Sequence, residues 1–217
     1  MTEVWKNAKF VQSEDLFKIG TDSVLLSEFV SIKNGNKICD IGTGTGFIAI
    51  SLCMLNPLVT AVGVEINTAA SALAAENAKL NAIETRMTVL NSDIRNYKSL
   101  FKANEFDIVV SNPPYFAKGS GEEKKSAVIN AARSDEFCPV SDLCESAGYI
   151  LKFGGYIYVS FYHTRLCDLI YSMRQNNIEP KELCIVSHSK GSAPGFVLVK
   201  GKKGGKTGLK IIQKTLW

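Results

Sequence analysis

Asn112-Pro113-Pro114-Tyr115 offers three groups that chemistry can use: a side-chain amide, a main-chain carbonyl stiffened by proline, and an aromatic ring. The tetrapeptide follows Phe106-Asp107-Ile108-Val109-Val110, an apolar run with the make-up of a buried parallel strand. A central strand cannot run on through two prolines, because each lacks an N–H and fixes φ. The strand therefore ends at Ser111 or Asn112. The tetrapeptide projects from its carboxyl end, the side on which open α/β sheets bind ligands. These groups suit a planar N–H₂, whose delocalised lone pair makes it a poor nucleophile. The Asn112 side-chain oxygen and the Pro113 carbonyl can each accept one of its N–H bonds, which favours a pyramidal nitrogen. The prolines hold that geometry in advance. Tyr115 presents a face on which an extruded base can stack.

A second group of residues is built to hold a ligand. Asp40-x-Gly42-x-Gly44-x-Gly46 lies between a short strand, Lys37 to Ile41, and a helix running from Phe47 to Leu55. Glycines admit positive φ and let the backbone approach a ligand closely. The following helix N-terminus attracts negative charge. A nicotinamide-binding loop would read G-x-G-x-x-G, but Phe47 stands where its third glycine belongs. Glu65, 19 residues after Gly46, closes the next strand, where a carboxylate can accept from both hydroxyls of a ribose. Asp93 follows a third strand, Met87 to Leu90, where a binding role is the favoured reading and a simple helix cap the alternative. Thr21 or Asp22 is an N-cap for a helix over Val24 to Val30, or else part of a pocket wall.

Strand and helix alternate along the chain, which predicts a parallel sheet covered on both faces. After the tetrapeptide, residues 117–137 turn polar and read as a lid or a disordered loop. Val140 to Leu151 is a helix stopped by Gly154-Gly155, and Tyr156 to Tyr162 is a strand. Thr164 to Gln175 is a helix, and Leu183 to Val186 with Phe196 to Val199 forms a terminal hairpin. Residues 1 to 19 show no clear period.

Composition bounds the rest. The 217 residues are 46% hydrophobic and 21% charged, as in a soluble globular domain. No apolar run is long enough to span a bilayer, and the N-terminus lacks a signal-peptide layout, so the expectation is a cytoplasmic protein. Six cysteines without a C-x-x-C pair, and only two histidines, give no metal site. Lys200 to Lys214 carries six lysines and no acid; against a net charge of +4, the remainder is negative by two. This basic end fits an anionic partner such as RNA, or equally a solvated lysine-rich hairpin.

The D-x-G-x-G-x-G loop resembles motif I of the class I S-adenosylmethionine-dependent methyltransferases. N-P-P-Y after a strand resembles motif IV of those that methylate amines, including adenine N6 and protein glutamine N5 enzymes. Lys18-Ile19-Gly20-Thr21-Asp22-Ser23-Val24-Leu25-Leu26, the Phe116 that follows Tyr115, and the Lys-Gly-rich end are similar to the bacterial tRNA-valine adenine-37 N6-methyltransferase family. That resemblance implies a Rossmann-like, seven-stranded, mostly parallel sheet with helices on both faces and a C-terminal antiparallel hairpin. It implies one domain over 1–217, with 1–35 covering the cofactor site. S-adenosylmethionine would be held by Thr21, Asp22, Asp40, Gly42, Gly44, Gly46, Glu65, Asp93, Ile94 and Asn112. Asn112, Pro113 and Tyr115 would be catalytic. Tyr115, Phe116, Arg133, Lys202 and Lys203 would contact a tRNA substrate, with no metal and no membrane. A glutamine N5-methyltransferase, and a non-catalytic RNA- or cofactor-binding module, are the competing readings.

Overall fold

The computed structural model describes residues 2–13, 19–113 and 139–216. Short β-branched and aliphatic runs become strands, and longer runs of good helix formers between them become crossovers. A hairpin of β1 (Thr2–Trp5) and β2 (Ala8–Val11) leads to α1 (Thr21–Phe29). Then follow β3 (Lys37–Ile41), α2 (Phe47–Leu55), β4 (Thr60–Glu65), α3 (Thr68–Leu80) and β5 (Met87–Asn91). A 3₁₀ turn and α4 (Tyr97–Leu100) lead to β6 (Phe106–Ser111). After residues 114–138, α5 (Val140–Ile150), β7 (Leu151–Phe161), α6 (Leu166–Gln175), β8 (Ile178–Ser187), β9 (Pro194–Lys203) and β10 (Lys210–Thr215) complete the chain.

One sheet has the order β10-β8-β9-β7-β6-β3-β4-β5, and only β9 runs antiparallel to its neighbours. The seventh-strand expectation falls one short. Lys210 to Thr215, read as a basic tail, is an eighth strand parallel to β8. Every second residue there is not apolar, because an edge strand is solvated on both sides; its lysines discourage further pairing. β7 also starts earlier than expected. Gly154-Gly155 does not end the helix but sits inside the strand, where a Cβ on Gly155 would lie 2.9 Å from the Asp107 carbonyl. The β6–β7 register shifts at this point, as a bulge does. The N-terminal hairpin escaped notice because its strands are four residues long. Its turn, Lys6-Asn7, has φ of 44° and 72°, the conformation of a two-residue hairpin turn.

The sheet is buried between two apolar layers. One contains Leu26, Ile50, Leu52 and Phe10, from α1, α2 and the hairpin. The other contains Leu143, Ile150, Leu169 and Met173, from α5 and α6. Seven of the nine residues in α2 are buried, since sheet, hairpin and α1 enclose it; each fully buried aliphatic contributes about 1.5–3 kcal/mol. Cys39, Cys53, Cys144 and Cys184 lie buried inside these layers, and Cys167 is exposed.

Asn77 of α3 joins the hairpin to the glycine loop. Its side chain is fully buried. Oδ1 accepts from Val11 N at 2.8 Å, and Nδ2 donates to Val11 O at 3.1 Å and to Thr45 O at 3.0 Å. Trp5 and Phe10 pack at 5.3 and 5.0 Å on Phe47, the first residue of α2. The hairpin is therefore fastened to the helix that the glycine loop opens. Asn77→Leu keeps the volume but strips partners from three backbone groups. It should lower the unfolding free energy by about 2–4 kcal/mol in urea titrations and accelerate amide exchange at Val11.

Candidate active site

The direction of winding reverses between β3 and β6. From β3 the chain moves outward through β4 and β5, then returns to place β6 on the other side of β3. Such a reversal point, between the carboxyl ends of the two strands, is where sheets of this kind form a ligand crevice. Asp40 pairs with Val110, so Gly42 and Asn112 follow two residues later on adjacent strands, where both chains leave the sheet at its carboxyl edge. The Ser111 hydroxyl donates to Ile41 O at 2.8 Å and ties the two strand ends together. The glycine loop and the Asn-Pro corner thus meet at one point.

The loop is held by main chain and by Glu65. Gly42 N and Thr43 N both donate to Val64 O, at 2.9 and 3.1 Å. Glu65 Oε2 accepts from Gly44 N at 2.9 Å, and Oε1 accepts from Asn67 N at 2.9 Å. Gly46 is the N-cap of α2 with φ of 86°, and a Cβ there would meet Ile50 Cδ1 at 2.9 Å. Glycine is the residue that satisfies both limits. By contrast, Cβ atoms on Gly42 and Gly44 would meet nothing within 4 Å, so these two backbones face open space.

Asp40 is fully buried beneath this loop. Its Oδ2 accepts from Thr43 Oγ1 at 2.7 Å and Ala49 N at 3.2 Å, whereas its buried Oδ1 has no hydrogen-bond partner among the described residues. Burial pushes its carboxyl up from 3.8 to about 7; the Thr43 and Ala49 bonds oppose this, and the charge of Glu65 adds to it.

Asp93 caps the 3₁₀ turn that starts at Ile94. Its Oδ1 accepts from Arg95 N at 2.9 Å, and the Arg95 guanidinium pairs with both carboxylate oxygens. That ion pair holds the Asp93 carboxyl below its usual range. The capping half of the sequence reading is what these bonds describe. Ile94 is a core residue, packed with Tyr97 and Phe101. Asp93, Glu65, Gly42 and Asn112 lie along the carboxyl edge of four adjacent strands, a span of about 14 Å.

On the other side of the crevice stands α1. Neither Thr21 nor Asp22 caps it; Gly20 is the N-cap and no side chain closes that end. Thr21 is exposed. Asp22 instead reaches across the chain: its Oδ2 accepts from Asn112 Nδ2 at 3.1 Å, and its Oδ1 accepts from Ser23 N at 2.8 Å. Ser23 Oγ accepts from the same Asn112 nitrogen at 2.9 Å. Sequence reasoning missed Ser23, because its only signal was adjacency to Asp22. It also had no means of linking residues 90 positions apart.

Lys202 and Lys203 are not at this end of the sheet. Lys202 pairs with Tyr156, which pairs with Ile108, so it lies about 13 Å short of Asn112 along the strands. Lys203 is used structurally: its ammonium donates to Leu151 O at 2.7 Å and Asn104 Oδ1 at 2.9 Å, and burial lowers its pKa. Because β9 runs antiparallel, its late lysines return to the amino end. Among the described residues, cations that do stand at the carboxyl end include Arg165, after β7 and paired with Asp168, and the exposed Lys190, in the β8–β9 turn. Tyr115, Phe116 and Arg133 lie outside the described residues. Among the described residues there is no cluster of three metal-ligating side chains and no helix long and apolar enough to cross a membrane.

The raised carboxyl of Asp40 makes a prediction. The folded protein keeps that proton to higher pH than the unfolded chain, so stability falls as pH rises from about 4 to about 7. The interval corresponds to roughly 4 kcal/mol. Urea unfolding of the ligand-free protein should show this decline, and Asp40→Asn should remove it. Parallel wild-type and variant curves across that window would assign the buried charge no role.

The geometry finds its counterparts among known proteins. The sequence model of the methyltransferase small domain matches residues 4–135. The tRNA1(Val) (adenine(37)-N6)-methyltransferase of Flavobacteriaceae bacterium (strain 3519-10) is 33% identical over 116 residues, covering 54% of this chain and 49% of that protein. The protein of the same name from Trichodesmium erythraeum is 34% identical over 154 residues, covering 69% and 62%. The chain thus spans about half to three fifths of the length of these relatives. A predicted O-methyltransferase from Agrobacterium tumefaciens shares the fold, with a TM-score of 0.71 at 17% identity over 90% of this chain and 86% of that one. The matched stretch runs through the hairpin, the glycine loop, Glu65, Asp93 and Asn112, and the chain belongs to the methyltransferase small domain family.

Proposed function

We propose that this chain transfers a methyl group from S-adenosylmethionine to the exocyclic N6 of an adenine in tRNA, at anticodon-loop position 37, in the cytoplasm. The observation that carries the reading is the placement of Asn112 beside the glycine loop, its amide nitrogen gripped by Asp22 and Ser23. The names of the relatives supply the substrate.

The residues present fit the cofactor. An orphaned, buried carboxylate oxygen on Asp40 suits a ligand that brings positive charge. Gly42 and Gly44 leave space for a close approach to backbone. Glu65 would accept from the ribose hydroxyls, and Asp93 with Ile94 would hold the base. The N-terminal residues 1–35 complete the site, through Asp22 on one side and the hairpin on Phe47 on the other. When bound, S-adenosylmethionine supplies an electrophilic methyl group on a sulfonium.

The chain's own work is at the amine. Asn112 Oδ1 accepts one N–H of adenine N6 and Pro113 O accepts the other. Both bonds weaken delocalisation into the ring and favour a tetrahedral nitrogen. Tyr115 is assigned to stacking on the extruded base, and Phe116 to contact with the same substrate. The proton left on the methylated nitrogen is acidic, so no strong base is needed. Arg133, Arg165 and Lys190 are the phosphate contacts we assign, in place of Lys202 and Lys203.

Incubation with labelled S-adenosylmethionine and unmodified tRNA, followed by nucleoside analysis, should yield labelled N6-methyladenosine. Label found only in protein would transfer the assignment to glutamine N5. Asn112→Ala should bind the cofactor within about twofold of wild type in calorimetry and lose about 10²–10³ in kcat. Lys190→Ala should weaken RNA binding and flatten the salt dependence of log affinity by about 0.7. Lys203→Ala should leave that slope alone and lower the unfolding midpoint instead.

A further inference from the structure

A side-chain amide has two nearly isosteric orientations, one presenting oxygen and the other presenting N–H₂. Only the first can serve a substrate amine, because the second sets donor against donor. Pro113 and Pro114 stiffen the backbone but cannot choose between the two. The choice is made in the first turn of α1. Asp22 Oδ2 accepts one Asn112 N–H at 3.1 Å, and Ser23 Oγ accepts at 2.9 Å. Asp22 is itself held, since its Oδ1 accepts from Ser23 N at 2.8 Å. An ionised carboxylate accepts and does not donate, so it faces the nitrogen end of the amide and rejects the oxygen end. The Asn112 oxygen is then turned away from α1.

We propose that Asp22 and Ser23 are positioning residues for methyl transfer: they clamp the Asn112 amide by its nitrogen and so fix its oxygen as the acceptor offered to the substrate. This rests on the function proposed above and adds a role for α1 in the chemistry, where the sequence reading had Asp22 as a cofactor contact. One helix turn is thereby joined to a strand end 90 residues later.

A charge-exchange cycle tests it. Asp22→Asn places an amide opposite the amide, which frees Asn112 to turn over. Asn112→Asp places a carboxylate opposite a carboxylate. Each should lower kcat tenfold or more, with cofactor Kd within about twofold of wild type. In the double variant the amide now at position 22 donates to the carboxylate now at 112, whose other oxygen still faces the substrate. The double variant should recover most of the loss of the worse single variant. Ser23→Ala should cost severalfold in kcat. A structural role would not produce recovery in the exchange. A double variant no faster than the worse single variant overturns the clamp. So does an Asp22→Asn enzyme with weakened cofactor binding and unchanged saturated kcat, which would make Asp22 a cofactor contact.

A second readout needs no activity. The Asn112 side-chain N–H₂ signals, identified by their loss in Asn112→Asp, should exchange slowly with solvent in the wild type. They should exchange faster in Asp22→Asn. Signals indifferent to Asp22 would sink the clamp even if tRNA is methylated; slow signals in a protein that methylates no tRNA would keep the clamp and sink the substrate.

Discussion

The pairing of β3 with β6 is the constraint on which the site depends. These neighbours come from different ends of the winding, so the reversal point of the sheet lies between their carboxyl ends. The glycine loop leaves β3 and the Asn-Pro corner leaves β6, and their register makes them neighbours. The Ser111 hydroxyl bond to Ile41 O fixes the spacing from within the core. Everything else is arranged around that junction. α2 turns away from it, α1 faces it, and the hairpin anchors on the helix the loop opens. A slip of one residue in this register would turn the two ends to opposite faces of the sheet.

The junction is not the most stable structure this sequence could build. Asp40 is sealed in with one oxygen unpartnered, at a cost in the ligand-free protein. A core position could hold an asparagine or a valine without that penalty. Local choices that oppose folding are concentrated where function is proposed, and the surrounding layers offset them. The buried aliphatics of α2 lie one turn from Asp40, so the best-packed helix adjoins the worst-satisfied carboxylate. Ligand binding that brings positive charge would relieve this strain and return the energy as affinity.

The elements around the site were legible because each is announced locally. Proline after an aliphatic run stops β6, and glycine before Phe47 starts α2. Alternation of strands with helices dictates the parallel sheet. What stayed hidden depends on direction and partnership. Lys202 and Lys203 sit in a strong basic run, but only the antiparallel sense of β9 reveals that they face the amino end of the sheet. β10 reads as a tail, because a solvated edge strand has no apolar face to show. The hairpin is short, and its inward residues, Ala8 and Phe10, are too few to set a period. Asp93 fits two roles by type, and its pairing with the guanidinium of Arg95 is visible only in three dimensions.

Orientation is the level of description at which residue type ceases to be informative. Asn112 is named by its place after a strand and before two prolines, yet an asparagine there can present either of two opposite functionalities. Which one faces the crevice is decided by a carboxylate contributed from the amino-terminal part of the chain. Asp22 had no cap to make, because Gly20 already ends α1. Its carboxylate was left to bond sideways, to Ser23 N and to the amide across the crevice. An acidic residue in the first turn of a helix is favoured by the helix's own partial charge, so Asp22 suits its place at the start of α1. The same backbone dipoles that stabilise a short helix therefore polarise the group that orients the amide. In this way the local electrostatics of one turn reach an amide ninety residues downstream.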